Sequence, residues 1–152
     1  MKTFNLKTQI GNVIFSLREK HPKEHWFNFD VKCIMEQKFS RFYPEGFFCS
    51  LHYNDLNRLV HDFESHCQDL KNDTFKKEIN YMPLEADFQL TLYDGGYENG
   101  QGTFTICFMI NIGALKDDGS CSYFGFQTSV DFHDVNKLCN DINSLLGLYK
   151  KP

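Results

Sequence analysis

The sequence predicts an α+β domain: two βββα units in a pseudo-twofold repeat, forming a mainly antiparallel, curved sheet with two packed helices. Three observations predict it. Apolar residues alternate with period two in several short stretches, the mark of half-buried strands. Two longer stretches carry apolar residues at helical spacing. Slid by 79 residues, the chain matches itself without a gap over about forty positions.

The elements follow in order. Val13, Phe15 and Leu17 alternate and predict a leading strand. Phe27, Phe29, Val31 and Cys33 alternate with Asn28, Asp30 and Lys32, which predicts a second. Tyr43-Pro44-Glu45-Gly46 reads as a turn, and Phe47 to Leu51 as a third strand. Leu56, Leu59, Val60, Phe63, Cys67 and Leu70 then form one apolar stripe of a helix. Lys71 to Pro83 is a polar connection with Phe75 and Tyr81 as anchors.

The second unit repeats the order. Phe88, Leu90 and Leu92 alternate, and Asp94-Gly95-Gly96 reads as a turn, with Asn99-Gly100-Gln101-Gly102 continuing the loop. Ile106, Phe108, Ile110 and Ile112 follow, then a turn at Lys116-Asp117-Asp118-Gly119 and a strand from Phe126 to Val130. Val135, Leu138, Cys139, Ile142, Leu145 and Leu146 give the second helix, with Asp131 placed to cap its start and Gly147 to end it. Asp55 and Asp134 lie in the first turns, where the helix dipole favours negative charge. In the 79-residue register, Gly46-Phe47 meets Gly125-Phe126, Asp55 meets Asp134, and Phe29, Val31 and Cys33 meet Phe108, Ile110 and Ile112. We expect one domain over 1–152, with one unit at about 10–71 and the other at about 84–149, because neither half is large enough for its own core.

Composition narrows the class. The 152 residues include 16 Phe and 7 Tyr but one Trp, so phenylalanine carries the core. No apolar run reaches the roughly 18 residues of a membrane helix, and residues 1–16 lack the continuous apolar stretch of a signal peptide. A cytoplasmic protein with no membrane partner is expected. Six cysteines without a CxxC pair read as reduced, mostly buried thiols. The net charge is −4: residues 1–79 carry +1 and residues 80–152 carry −5. Such a half repels nucleic-acid phosphates and suits basic partners; it also serves plain solubility.

Chemistry is sparse. His21 and His25 are four apart, but Pro22 intervenes and no helix pattern surrounds them. His61 and His66 are five apart and point in different directions on their helix. The glycine-rich run 95–102 has no lysine to hold phosphates, and Asp117-Asp118-Gly119 lacks the remaining ligands of a calcium loop. A Cys–His nucleophilic pair has no flanking signature among six cysteines and six histidines. No cofactor, metal ion or catalytic residue is expected. Two features suit binding instead. Trp26 stands beside Phe27, so their side chains take opposite sheet faces; Trp26 is either an exposed anchor or lies under a helix or loop. Asp94, Glu98, Asp117 and Asp118 fall in hairpin tips and form either an acidic contact surface or a solvated rim.

The run Trp26-Phe27-Asn28-Phe29-Asp30-Val31 ahead of a strand pair, with Phe47 to Leu51 running into the Asp55 helix, resembles the WapI-type immunity proteins of bacterial polymorphic toxin systems. The resemblance covers about residues 10–148; His52-Tyr53-Asn54 stands where that family often has a Thr-rich helix start. It implies a small cytosolic protein that neutralises a toxin by covering its active site or a neighbouring surface. It carries over no contact residue. An acidic domain without catalytic motifs suits a basic toxin such as a nuclease. The alternative is an α+β domain holding a small apolar ligand, or acting as an enzyme, in a Phe-lined pocket.

Overall fold

A computed structural model describes residues 2–41, 46–114 and 121–148. The order is β1 (Thr3–Thr8), β2 (Gly11–His21), β3 (Trp26–Met35), α1 (Gln37–Ser40), β4 (Gly46–His52), α2 (Tyr53–Lys71), β5 (Ile79–Tyr81), β6 (Phe88–Glu98), β7 (Gln101–Ala114), β8 (Cys121–Asp131) and α3 (Phe132–Leu146). The class is α+β, with every strand pair antiparallel. Two four-stranded sheets take the place of the expected single sheet, ordered β1-β2-β3-β4 and β5-β6-β7-β8. Each sheet is a meander followed by a long helix. β1 and β5 are the strands that sequence reading did not find.

Each sheet turns one face inward, and both faces feed one core. Phe4, Phe15 and Phe29 line the first sheet, and Phe88, Phe104, Phe108 and Phe126 the second. Their rings form a chain. Phe4 stacks on Phe15 at 4.6 Å, Phe15 meets Phe88 edge-on at 5.8 Å, Phe88 stacks on Phe108 at 5.3 Å, and Phe108 on Phe126 at 5.7 Å. Such pairs contribute about 0.5–1.5 kcal/mol each beyond the area they bury. α2 and α3 close the core with their apolar stripes. Besides the core rings, a backbone bond links the sheets: Gln9 N–H donates to the Ser129 carbonyl at 2.9 Å.

The helix ends follow local chemistry. Asp131 caps α3, its carboxylate accepting from His133 N–H at 2.7 Å. Gly147 ends that helix in right-handed conformation, φ −62°. The strand-to-helix junctions His52–Tyr53 and Asp131–Phe132 lie 79 residues apart. The third strands of the two sheets are offset by 77: Trp26 stands opposite His52, whereas Thr103 stands opposite Asp131. A two-residue slip keeps every side chain on its face, which is why the apolar pattern matches at 79 as well.

One turn differs from expectation. Asp94-Gly95 is an irregularity within β6, where the register shifts between Leu92 and Gly95. The hairpin turns at Asn99-Gly100, both at positive φ (52° and 81°) between the paired Glu98 and Gln101. Two-residue hairpin turns favour Asn-Gly for that reason. The expected turns at 43–46 and 116–119 lie largely or wholly outside the described residues.

Two predictions come from this packing. A Cβ built on Gly125 would lie 1.8 Å from the Phe108 carbonyl oxygen, so Gly125→Ala must part β7 from β8. A loss of about 1–3 kcal/mol in urea unfolding is expected. His66 is 1% exposed, ringed by Phe104 and Phe75, and its Nε2–H donates to the Tyr93 carbonyl at 2.8 Å. Burial lowers its pKa below the ordinary 6.5, against smaller opposing effects of that hydrogen bond and of Asp69 and Asp94. The unfolded chain then binds the proton more readily, so stability is fully present above about pH 6.5 and is lost as pH falls toward the lowered value. The urea midpoint of His66→Gln should depend less on pH below 6.5 than that of the natural chain.

Candidate binding surface

Asp55 is a charged side chain only 3% exposed. It occupies the third position of α2, and its Oδ2 accepts from His52 N–H at 3.1 Å and from Leu84 N–H at 3.4 Å. Its backbone carbonyl accepts from the Tyr81 hydroxyl at 3.0 Å. Arg58, one turn on, approaches Oδ1 at 3.4 Å, donates to the Met82 carbonyl and lies 4.9 Å over the Tyr81 ring. The first turn of α2 therefore fastens the segment 81–84, which enters the second sheet.

The other end of this segment is fastened too. Asp87 Oδ2 accepts from Ser50 N–H on the edge strand β4 at 2.9 Å, and the Asp87 carbonyl accepts from Asn111 N–H at 2.9 Å. The Ala86 carbonyl takes the Asn111 side-chain amide at 3.1 Å and the Tyr123 hydroxyl at 3.3 Å. Ala86 sits at φ 52°, a left-handed backbone that an alanine adopts at a cost. Held at both ends, the loop buries Pro83 and turns Met82 (47% exposed) and Leu84 (70%) outward. Phe48, two residues along β4 from Ser50, and Phe124, next to Tyr123, are 48% and 40% exposed. Glu85, next to Leu84 in the chain, is also exposed. Burial raises the Asp87 carboxyl pKa, the Ser50 hydrogen bond opposes this, and Glu85 adds to it. A rigid backbone carrying exposed apolar side chains next to carboxylates can seat a partner at small ordering cost.

Trp26 belongs to this corner. It is half-buried on the outer face of the first sheet while Phe27 is buried inside. Its ring meets the His52 ring at 5.3 Å and 66°. Since Asp55 holds both His52 and Leu84, Trp26 and the 82–87 loop flank the same helical turn. Glu98 lies elsewhere. It adjoins Tyr97, whose ring Lys71 reaches at 5.6 Å at the far end of α2, roughly 27 Å along a helix of this length. Glu98 is at a hairpin tip as expected; Asp94 is exposed but within a strand, its carboxylate accepting from Gly95 N–H at 2.7 Å. Asp117 and Asp118 lie outside the described residues.

Two adjoining clefts of about 570 and 380 Å³ surround the start of α3 and share Lys7, Asp131 and Asp134. Lys7 is paired with Asp134 at 2.9 Å, and Lys71 lies over the stacked Tyr97 and Phe132 rings. Among the described residues, both lysines of the larger cleft are thus engaged within the chain. The cysteines show no disulfide. Burial raises the Cys33 and Cys67 thiols to about 11 and Cys139 to about 12, and raises Cys49 and Cys107 as well. An activated nucleophile needs the opposite shift. Among the described residues no group of three or more His, Cys, Asp or Glu side chains is placed to hold a metal ion, and no helix is long and apolar enough to cross a membrane. The sequence matches no model of a known protein family and no curated protein.

Sequence reading singled out Trp26 here but missed Met82, Leu84 and Asp55's long-range role. Met82-Pro83-Leu84 has no signal separating it from a buried anchor, and a hydrogen bond spanning 29 residues leaves no local pattern. If Asp55 is the fastening point, Asp55→Ala should cost about 2–4 kcal/mol, a lost cap plus unpaired amides. Asp55→Asn, which keeps one acceptor oxygen, should cost less. Urea unfolding of the two variants checks the order.

Proposed function

We propose that this chain is a non-enzymatic binding protein that neutralises a cognate toxin by direct contact, in the manner of the WapI-type immunity proteins it resembles, and that it works in the cytoplasm. The observation that carries the reading is the 82–87 platform: a backbone fastened at both ends that presents Leu84 and Met82 to solvent beside Glu85 and Asp87. Exposed apolar side chains on a pre-ordered backbone are suited to the desolvated centre of a contact. Trp26 extends the surface across the first turn of α2. The partner that fits is a basic protein such as a nuclease toxin. It would be steered by the carboxylates of the second half, Asp94, Glu98, Asp117 and Asp118 among them. We further infer that the two halves are duplicated copies of one unit, on the shared sequence pattern and the recurrence of a strand-to-helix junction at 79 residues.

The test is pairwise expression with the toxin domain encoded by the neighbouring gene, followed by co-purification and binding kinetics. Leu84→Asp should weaken binding at least 30-fold through a faster off-rate, as loss of a strong contact residue does. Replacing Asp94, Glu98, Asp117 and Asp118 by Asn or Gln should instead slow association at low salt and flatten its salt dependence. Unchanged affinity in the Leu84→Asp protein would remove the platform from the contact, and failure of the natural pair to associate would remove the toxin reading altogether.

A further inference from the structure

We propose that His52 is a proton-sensitive cap: protonation of its imidazole releases the first turn of α2 and, through Asp55, loosens the Met82–Leu84 platform. The consequence for partner binding rests on the function proposed above; the event at the helix does not.

Helices are ordinarily capped by Ser, Thr, Asp or Asn. α3 conforms, with Asp131 accepting from His133 N–H. At the same place before α2 stands a histidine. His52 has the extended backbone of a cap (φ −74°, ψ 155°), and its Nδ1 accepts from Asn54 N–H at 3.2 Å. Accepting at Nδ1 places the ring proton of the neutral form on Nε2. An imidazolium has no acceptor left. Protonation therefore deletes the cap bond and sets a cation against the positive end of a 19-residue helix. Histidine, at an ordinary pKa of about 6.5, is the side chain that makes this change between neutral and mildly acid solution.

Charged and titratable groups face His52 from several elements. From α2, the Asp55 carboxylate accepts from His52 N–H and is itself paired with Arg58. From the turn between β2 and β3, the His25 ring lies 6.3 Å from His52, and a second imidazolium there would oppose the first; Lys23 and Glu24 in the same turn offset each other. From β2, His21 sits opposite Trp26 and is occupied with Asn28 and Glu19. From the platform side, Asp87 binds Ser50, two residues before His52 on β4.

The coupling path is short. Asp55 Oδ2 accepts from both His52 N–H and Leu84 N–H, and the His25 backbone carbonyl accepts from Tyr53 N–H at 2.8 Å. A first turn that loses its cap no longer holds Asp55 in place, so Leu84 loses a fixed acceptor, and Trp26 loses a fixed neighbouring ring.

The test uses the whole chain and no partner: amide NMR spectra and hydrogen-exchange protection between pH 7.5 and 5.0. The Asn54 and Leu84 amides should shift together with one midpoint. Protection in the first turn of α2 should fall about fivefold, the effect of losing a typical cap. Protection of the His133 amide, capped by an aspartate in place of a histidine, serves as the control and should hold. His52→Asp, and His52→Asn as a second variant, supply caps that do not take up a proton in this range and should abolish the coupled shift. A coupled shift that survives in both variants overturns the proposal, assigning the response to His25 or to the buried His66. An Asn54 response without a Leu84 response overturns the coupling. These readings stand apart from the co-purification experiment, so loss of the toxin reading leaves the cap to be judged on its own.

Discussion

The meeting of Phe15 with Phe88 is the contact on which the rest of the architecture depends. Neither meander carries enough inward surface to close a core alone. The first sheet offers one aromatic face, the second another, and this edge-to-face contact joins them into a single run of rings from Phe4 to Phe126. Everything outside the core is arranged by that union. The helices cover the open flanks, and the sheet edges come near enough for Ser50 to bond Asp87 and for Gln9 to bond Ser129.

Polar interactions then do what ring packing cannot, which is to fix position. Ring stacking tolerates sliding; a hydrogen-bonded carboxylate does not. The first turn of α2 concentrates this positional information, since Asp55, Arg58 and Tyr81 tie helix, strand and loop at one corner. The same corner carries the exposed Met82 and Leu84. An exposed leucine on a floating loop would lose much of any contact energy to ordering, whereas Leu84 is presented by a backbone already held at Asp55 and Asp87.

How far the sequence disclosed this depends on the range of each interaction. The long helices were legible because their stripes repeat within one turn, and the Asp131 cap because capping is local. β2, β3, β6 and β7 were legible from alternation, and β4 and β8 from the stretches between a turn and a helix. β1 was not, since Phe4 and Leu6 give only two alternating apolar residues, nor was β5, which has three residues in all. The turn at Asp94-Gly95 misled because Gly95 serves a close approach, its Cβ position lying 2.2 Å from the Thr103 carbonyl oxygen, and not a reversal. Of the candidate surface, the single tryptophan stood out by its rarity. Leu84 and Met82 did not, because their exposure is decided by bonds to residues far off in sequence.

The bond from Gln9 to Ser129 and the ion pair from Lys7 to Asp134 have a consequence for biosynthesis. The first strand of this fold to be made docks on its last strand and last helix. Its native neighbours on that side are made about 120 residues after it, and long-range pairings of this kind are slow to form. During synthesis, β1 through α2 must therefore wait as a half-built sheet with the Phe4, Phe15 and Phe29 face uncovered. That interval is when the nascent chain has most need of a chaperone.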